Sequence, residues 1–217
     1  MVNLAQRGFS ELKGISDLKL LQIETERLGR TIGAEIVTSE KAVANSFDEM
    51  VSPEERIVTI GSSSLCERAL VSAQVHGKHP SITVLLASAK PETLTIGKRL
   101  AQSSLDVSYG FLADAMRHVA SADRVVFGAH LTTQDGDVFA AQGADLLALA
   151  AKRLGKPVVV LAGPFKAVGR STDYYADYLR AIDMDVDFSV DKYTVGIHDL
   201  SVVSRDLVDH VVSNIRL

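Results

Sequence analysis

Four short runs constrain this chain more than anything else in it. Ile57 to Ile60, Ile82 to Leu86, Arg124 to Phe127 and Val158 to Leu161 are mostly apolar, with apolar residues at consecutive positions rather than only at alternate ones. A strand of that kind hides both faces from water, which a parallel sheet covered by helices on each side provides. The segments between the runs carry helical spacing: Ser62 to Val75, about Glu92 to Gln102, Leu112 to Val119, and Ala140 to Leu154 before Gly155. Val107 to Tyr109 reads as a weaker strand. The alternation predicts an α/β fold with a parallel sheet. Right-handed crossovers bring the helix N-termini to one edge of such a sheet, and ligands bind beyond the C-terminal ends of its strands. That edge comprises Gly61 to Ser64, Ala87 to Lys90, Gly128 to Asp137 and Gly163 to Arg170.

Residues 1–50 have a different texture. The first 15 are mixed and broken by glycine, which predicts a frayed or partner-dependent start. Ser16 and Asp17 offer N-caps, and Leu18, Leu21, Leu28, Ile32, Ile36 and Val43 recur at helical spacing up to about Met50. The division is therefore a short helical N-terminal segment, residues 1–50, and an α/β domain, residues 51–217. Near the C-terminus Thr172 to Ala181 reads as a Tyr-rich helix, and Ser204 as the cap of a last helix from Asp206 to Val212. Asp183, Asp185, Asp187 and Asp191 alternate with Val186, Phe188 and Val190, so these carboxylates share one strand face. A solvated edge explains them better than a hard cation.

Composition excludes several classes. Lys plus Arg number 23 against 27 Asp plus Glu, a net charge of −4, so the surplus of cations that phosphate neutralisation needs is missing and direct nucleic-acid binding is not expected. The longest apolar runs, such as Val158 to Ala162, are far too short for a bilayer, and Met1 to Ser10 holds no apolar stretch of signal-peptide length. Cys66 is the only cysteine, which rules out an internal disulfide and a Cys-based metal site. The expectation is a cytoplasmic protein with no cofactor and no metal. Neither G-x-G-x-x-G nor a P-loop is present.

Several residues on the ligand edge carry chemistry. Gly61-Ser62-Ser63-Ser64 follows a strand and opens a helix, a corner that suits a phosphate or carboxylate and equally an ordinary turn and cap. His130 follows a strand and could be an acid, a base or a phosphate ligand, or simply a hydrogen-bonded structural residue. Lys90, Lys166 and Arg170 lie in loops on the same edge, as does Asp137. Three cations converging there would suit a phosphorylated ligand. Cys66 lies in the first turns of the helix with no His nearby in sequence, so it reads as a buried small apolar residue rather than a nucleophile. His76 and His79 straddle Gly77 at a helix end and read as solvated.

A family resemblance rests on six segments in order. These are Ile57 to Ser64; Ala89-Lys90-Pro91 before Gly97; Arg124 to His130; Asp135-Gly136-Asp137-Val138 and Gly143 with Leu146 to Lys152; Lys156 to Leu161 with Pro164-Phe165-Lys166 and Arg170; and Asp191 to Ile215. Over about residues 40–217 the chain resembles the regulatory alpha, beta and delta subunits of translation initiation factor 2B and their archaeal relatives. It is similar also to methylthioribose-1-phosphate isomerase and ribose-1,5-bisphosphate isomerase. The resemblance implies a Rossmann-like parallel sheet and pairing of subunits through this domain, as a homodimer or hetero-oligomer. It also implies a crevice for a sugar phosphate or a nucleoside monophosphate, held by Gly61, Ser62, Ser63, Ser64, Lys90, Asp137 and Lys166.

The departures from the isomerases fall on their chemistry. Their Cys after the first strand corresponds to Gly61, their Asp after Gly-Ala to His130, and their Asn-Lys pair to Ala140 and Ala141. Without the thiol and the carboxylate the acid–base pair of an aldose–ketose proton shuttle is gone. The first expectation is a non-catalytic regulatory or scaffold subunit that senses a phosphorylated metabolite. The alternatives are a sugar-phosphate enzyme with His130 as acid–base, and a purely interfacial domain without a ligand.

Overall fold

The computed structural model describes residue 8 and residues 10–87, 91–175, 188–190, 193–195 and 200–213. Residues 8 and 10–12 are helical, and the long helix α1 (Leu18–Met50) follows, capped by the Asp17 carboxylate, which accepts from the backbone N–H groups of Lys19 and Leu20 at 2.8 and 3.0 Å. The α/β part follows as β1 (Arg56–Ile60), α2 (Ser64–Val75), β2 (Ser81–Leu86), α3 (Pro91–Gln102) and β3 (Asp106–Phe111). A 3₁₀ turn, Leu112–Asp114, leads into α4 (Ala115–Ser121), β4 (Arg124–Thr132), β5 (Val138–Ala141), α5 (Ala144–Arg153) and β6 (Val158–Leu161). Among the described residues that follow, β7 (Phe188–Val190) and β8 (Tyr193–Val195) pair antiparallel by themselves, and β9 (Leu200–Val203) and β10 (His210–Val212) join the main sheet.

The main sheet runs β10-β6-β4-β1-β2-β3, and every neighbour on that path is parallel. The order reverses direction between β1 and β4, which makes that gap the topological switch point. Consecutive side chains of the central strands feed opposite cores. Ile57, Val126 and Val159 join Val43 and Phe47 of α1, Leu70 of α2 and Leu100 of α3 on one face. Val58, Val125 and Val160 join Val119 of α4 and Leu147 of α5 on the other. Full burial of a Val or Leu is worth ~1.5–3 kcal/mol, so neither face can be left open to water.

Three expected elements differ, each because sheet pairing overrides local propensity. The helix expected from Ala140 begins only at Ala144, since Ala140 and Ala141 belong to β5 and pair with Ala129 of β4 and with Ser201 and Leu200 of β9. Gly143, at φ +83, ends that strand in a conformation no helix interior uses. The last helix, expected from Asp206, is a 3₁₀ turn (Arg205–Leu207) followed by β10, whose His210, Val211 and Val212 add a parallel strand beside β6. Strand β4 also runs beyond Gly128 to Thr132. Thr172 to Tyr175 are helical, while Asp183, Asp185, Asp187, Asp191 and Lys90 lie outside the described residues.

One ionic contact ties α1 to the other end of the sheet. The Arg124 guanidinium donates from Nε to the Glu55 carboxylate at 2.6 Å and from a terminal nitrogen to the Met50 carbonyl at 2.8 Å. Glu55 accepts in addition from the Ser52 N–H at 2.7 Å. The two side chains are only 14% and 5% exposed, so removing one strands the other's charge out of water. Arg124→Met should therefore cost ~3 kcal/mol in a urea unfolding experiment, with Glu55→Leu/Arg124→Met recovering much of it. An unchanged midpoint in the single variant contradicts this account.

Candidate functional site

At the switch point a crevice of about 170 Å³ opens over the strand ends. It is lined by Ser62, Ser63 and Ser64 after β1, by Gly128, Ala129 and His130 of β4, and by Gly163 and Lys166 after β6. The turn after β1 needs glycine. Gly61 has φ +79, and a Cβ there would sit 2.4 Å from the Ala141 Cβ of β5. Ser63 caps α2, its Oγ accepting from the Cys66 N–H at 3.3 Å. It lies so close over β4 that a Cβ on Gly128 would meet that Oγ at 2.2 Å. The crevice floor is thus two backbones brought together by two glycines, with the open end of α2 above it.

His130 occupies a β-bulge. Ala129 pairs with Ala140 and Leu131 with Phe139, so the register shifts across His130 and leaves it the extra residue of the ladder. A bulge re-aims one side chain and interrupts strict alternation. Here it directs His130 to the crevice. Lys166 reaches the same space from the 3₁₀ turn Pro164–Lys166. The ingredients are a helix N-terminus, the exposed residues Ser62 and Ser64, an imidazole, one ammonium group and the carboxylate of Glu40 on α1. The volume lies below the ~300–1,000 Å³ of drug-sized sites, which suits a small ligand or one headgroup of a larger one.

The structure brings together Ser62, Ser63, Ser64, His130 and Lys166 of the residues expected from sequence, with Gly61 as their turn. Asp137 is a correction. Its carboxylate is spent on the loop beyond β4, accepting from Thr172 Oγ1 at 2.8 Å and from the Arg205 N–H at 2.9 Å, and it does not line the crevice. Arg170 does not line it either, because its guanidinium stacks over the Tyr174 ring at 5.3 Å. The residue that the sequence reading missed is Glu40 of α1, which lines the crevice and pairs with Arg68 of α2 at 2.8 Å. Its only sequence signal is its position three residues before the buried Val43, and which wall that places it on depends on how α1 docks. Among the described residues no group of three or more His, Cys, Asp or Glu side chains is placed to hold a metal, and no helix is long and apolar enough to cross a membrane.

Cys66 lies beneath the crevice, fully buried, as expected from the sequence. Burial pushes its thiol up to about 12, against which the hydrogen bond with Ser63 acts weakly in the other direction. A thiol is nucleophilic only as thiolate, so Cys66 supplies no covalent chemistry here. A disulfide reagent such as 5,5′-dithiobis(2-nitrobenzoate) at pH 8 should label the folded protein at least ~100-fold more slowly than the unfolded chain. Prompt labelling of the native protein contradicts this.

Strand order and crevice position together define a Rossmann-like α/β domain with its ligand edge at the switch point. Comparison with known proteins is more specific. The model of the initiation factor 2 subunit family matches residues 1–185, and the chain belongs to that family. It is 30% identical over 125 residues to a Schizosaccharomyces pombe protein named translation initiation factor eIF2B subunit beta, a match covering 56% of this chain and 31% of that protein. This chain therefore matches less than a third of that relative's length. Its fold is similar to that of a tetrameric eIF2B-beta2-delta2 complex from C. thermophilum, with TM-score 0.80 and 20% identity over 98% of this chain and 69% of that one. It is similar also to an eIF-2B translation initiation factor from Pyrococcus horikoshii OT3, with TM-score 0.77 and 19% identity over 90% of this chain and 68% of that one.

Proposed function

We propose that this chain is a cytoplasmic regulatory or scaffold subunit of the initiation factor 2B type, free of isomerase chemistry, whose crevice binds a small phosphorylated molecule. It works as a homodimer or in a hetero-oligomer formed through the α/β domain. The observation that carries this reading is position 61. The related isomerases need a thiol in that turn, and here the backbone at φ +79 and the Ala141 Cβ 2.4 Å away exclude any side chain. The ligand part is supported by Ser62, Ser63, Ser64, His130 and Lys166 around one crevice. The subunit part is supported by family membership and by the naming of the fission-yeast relative. A phosphate placed between α2 and Lys166 would gain charge-assisted hydrogen bonds. Sugar hydroxyls and a sugar or nucleoside body would extend toward His130.

One observation favours a second reading. A bulge that aims a histidine into a ligand crevice is a common device for acid–base work, so a sugar-phosphate enzyme using His130 is the alternative. The two separate cleanly. The wild type and His130→Ala are incubated with ribose 1,5-bisphosphate and with methylthioribose 1-phosphate, and their melting temperatures are taken with ribose 5-phosphate, AMP and GMP. The expected result is no turnover by either protein, with a melting rise of ~5–10 °C at ligand ~100 times Kd. Turnover by the wild type that His130→Ala abolishes supports the enzyme. No rise with any phosphate removes the ligand and leaves the interfacial role.

A further inference from the structure

The crevice is not uniformly cationic. Glu40 of α1 stands in its wall together with Ser62, Ser63, Ser64, His130 and Lys166. A carboxylate beside an ammonium group and a helix start is out of place in a general anion trap, because it repels the charge that the other groups attract. Its position is firmly set. Ser39, next to it in the chain, and Val43, about one turn on, are buried, so the docked part of α1 holds this wall. The Glu40 side chain is only 20% exposed, and it pairs with Arg68 of α2 at 2.8 Å. Arg68 is 50% exposed and does not line the crevice, so it holds the carboxylate without adding a cation to the cavity.

The size of the crevice turns this into selectivity. In about 170 Å³ a bound molecule lies close to every wall. The start of α2 and Lys166 supply the donors that a phosphate needs, so a phosphate seats there. The rest of the molecule then faces the Glu40 carboxylate, which accepts hydrogen bonds and donates none. Hydroxyl groups satisfy that acceptor. A second phosphate meets it as a like charge, in a partly enclosed space where water and salt screen the pair less than in bulk. One end of the crevice therefore rewards an anion and the other end rewards neutral donors.

We propose that Glu40 is a charge filter, through which the crevice takes polyhydroxy molecules with one phosphate and rejects those with two. This rests on the crevice reading above and adds to it the class of ligand and the residue that selects it. Calorimetric titration of the full chain with ribose 5-phosphate and with ribose 1,5-bisphosphate tests it, with circular dichroism as the control of folding. The wild type is expected to bind ribose 5-phosphate at least ~10-fold more tightly than the bisphosphate. Glu40→Gln should weaken ribose 5-phosphate about 3-fold, by loss of a charged acceptor, and tighten the bisphosphate about 10-fold. A shift in the docking of α1 would move both ligands the same way, so the opposite signs belong to the filter. Lys166→Gln should weaken both alike, about 10-fold, because both seat a phosphate at that end. A wild type that binds the bisphosphate as tightly as ribose 5-phosphate, or a Glu40→Gln variant that moves both ligands in one direction, overturns the filter and leaves the crevice reading standing. Binding that Lys166→Gln leaves unchanged, or no binding of either sugar phosphate, overturns the crevice reading and the filter with it.

Discussion

All four side chains of β6 are buried, with Val158, Val160 and Leu161 at most 1% exposed, and residues 57–60 of β1 and 125–127 of β4 are nearly as enclosed. Burial on both faces of the middle of the sheet is what the remaining structure answers to. It demands two helical layers, α1, α2 and α3 on one side and α4 and α5 on the other. Two layers wound from one chain require a reversal of strand order, and the reversal leaves a gap between the ends of β1 and β4. The crevice is the geometric consequence of the core. At the opposite end of the same strands, the buried Glu55–Arg124 pair fastens the C-terminus of α1 to the sheet, so the helix that carries Glu40 is held at both ends of its docked half.

Small residues then shape the crevice. Gly61 turns where Ala141 leaves no room for a side chain, and Gly128 admits Ser63 onto the face of β4. These close approaches set the start of α2 over the strand ends and bury the Cys66 thiol beneath it. The same closeness leaves no room for a side chain at position 61.

Much of this was legible in the sequence because the core strands are doubly apolar. Ile57–Ile60 and Val158–Leu161 announce a parallel sheet without any three-dimensional information, and the loops that must form its ligand edge follow from the order of elements. What escaped notice depends on pairing across the chain. Ala140 and Ala141 have every local reason to be helical and are strand because β4 and β9 flank them. His210 to Val212 read as helix until β6 is seen beside them. Asp137 looked like a site residue from its place after β4, but Thr172 and Arg205 had already claimed its oxygens. Glu40 could not be found at all, since its role is decided by the docking of a 33-residue helix and not by its neighbours in sequence.

The account turns on the crevice being a place of binding. Backbone amide shifts recorded by NMR during a titration with ribose 5-phosphate test this most directly. The account predicts saturable shifts that cluster at Ser62, Ser63, Ser64, His130 and Lys166, with Asp137 and Arg170 little moved. Shifts that cluster elsewhere, or a spectrum that saturating ligand leaves unchanged, would contradict it.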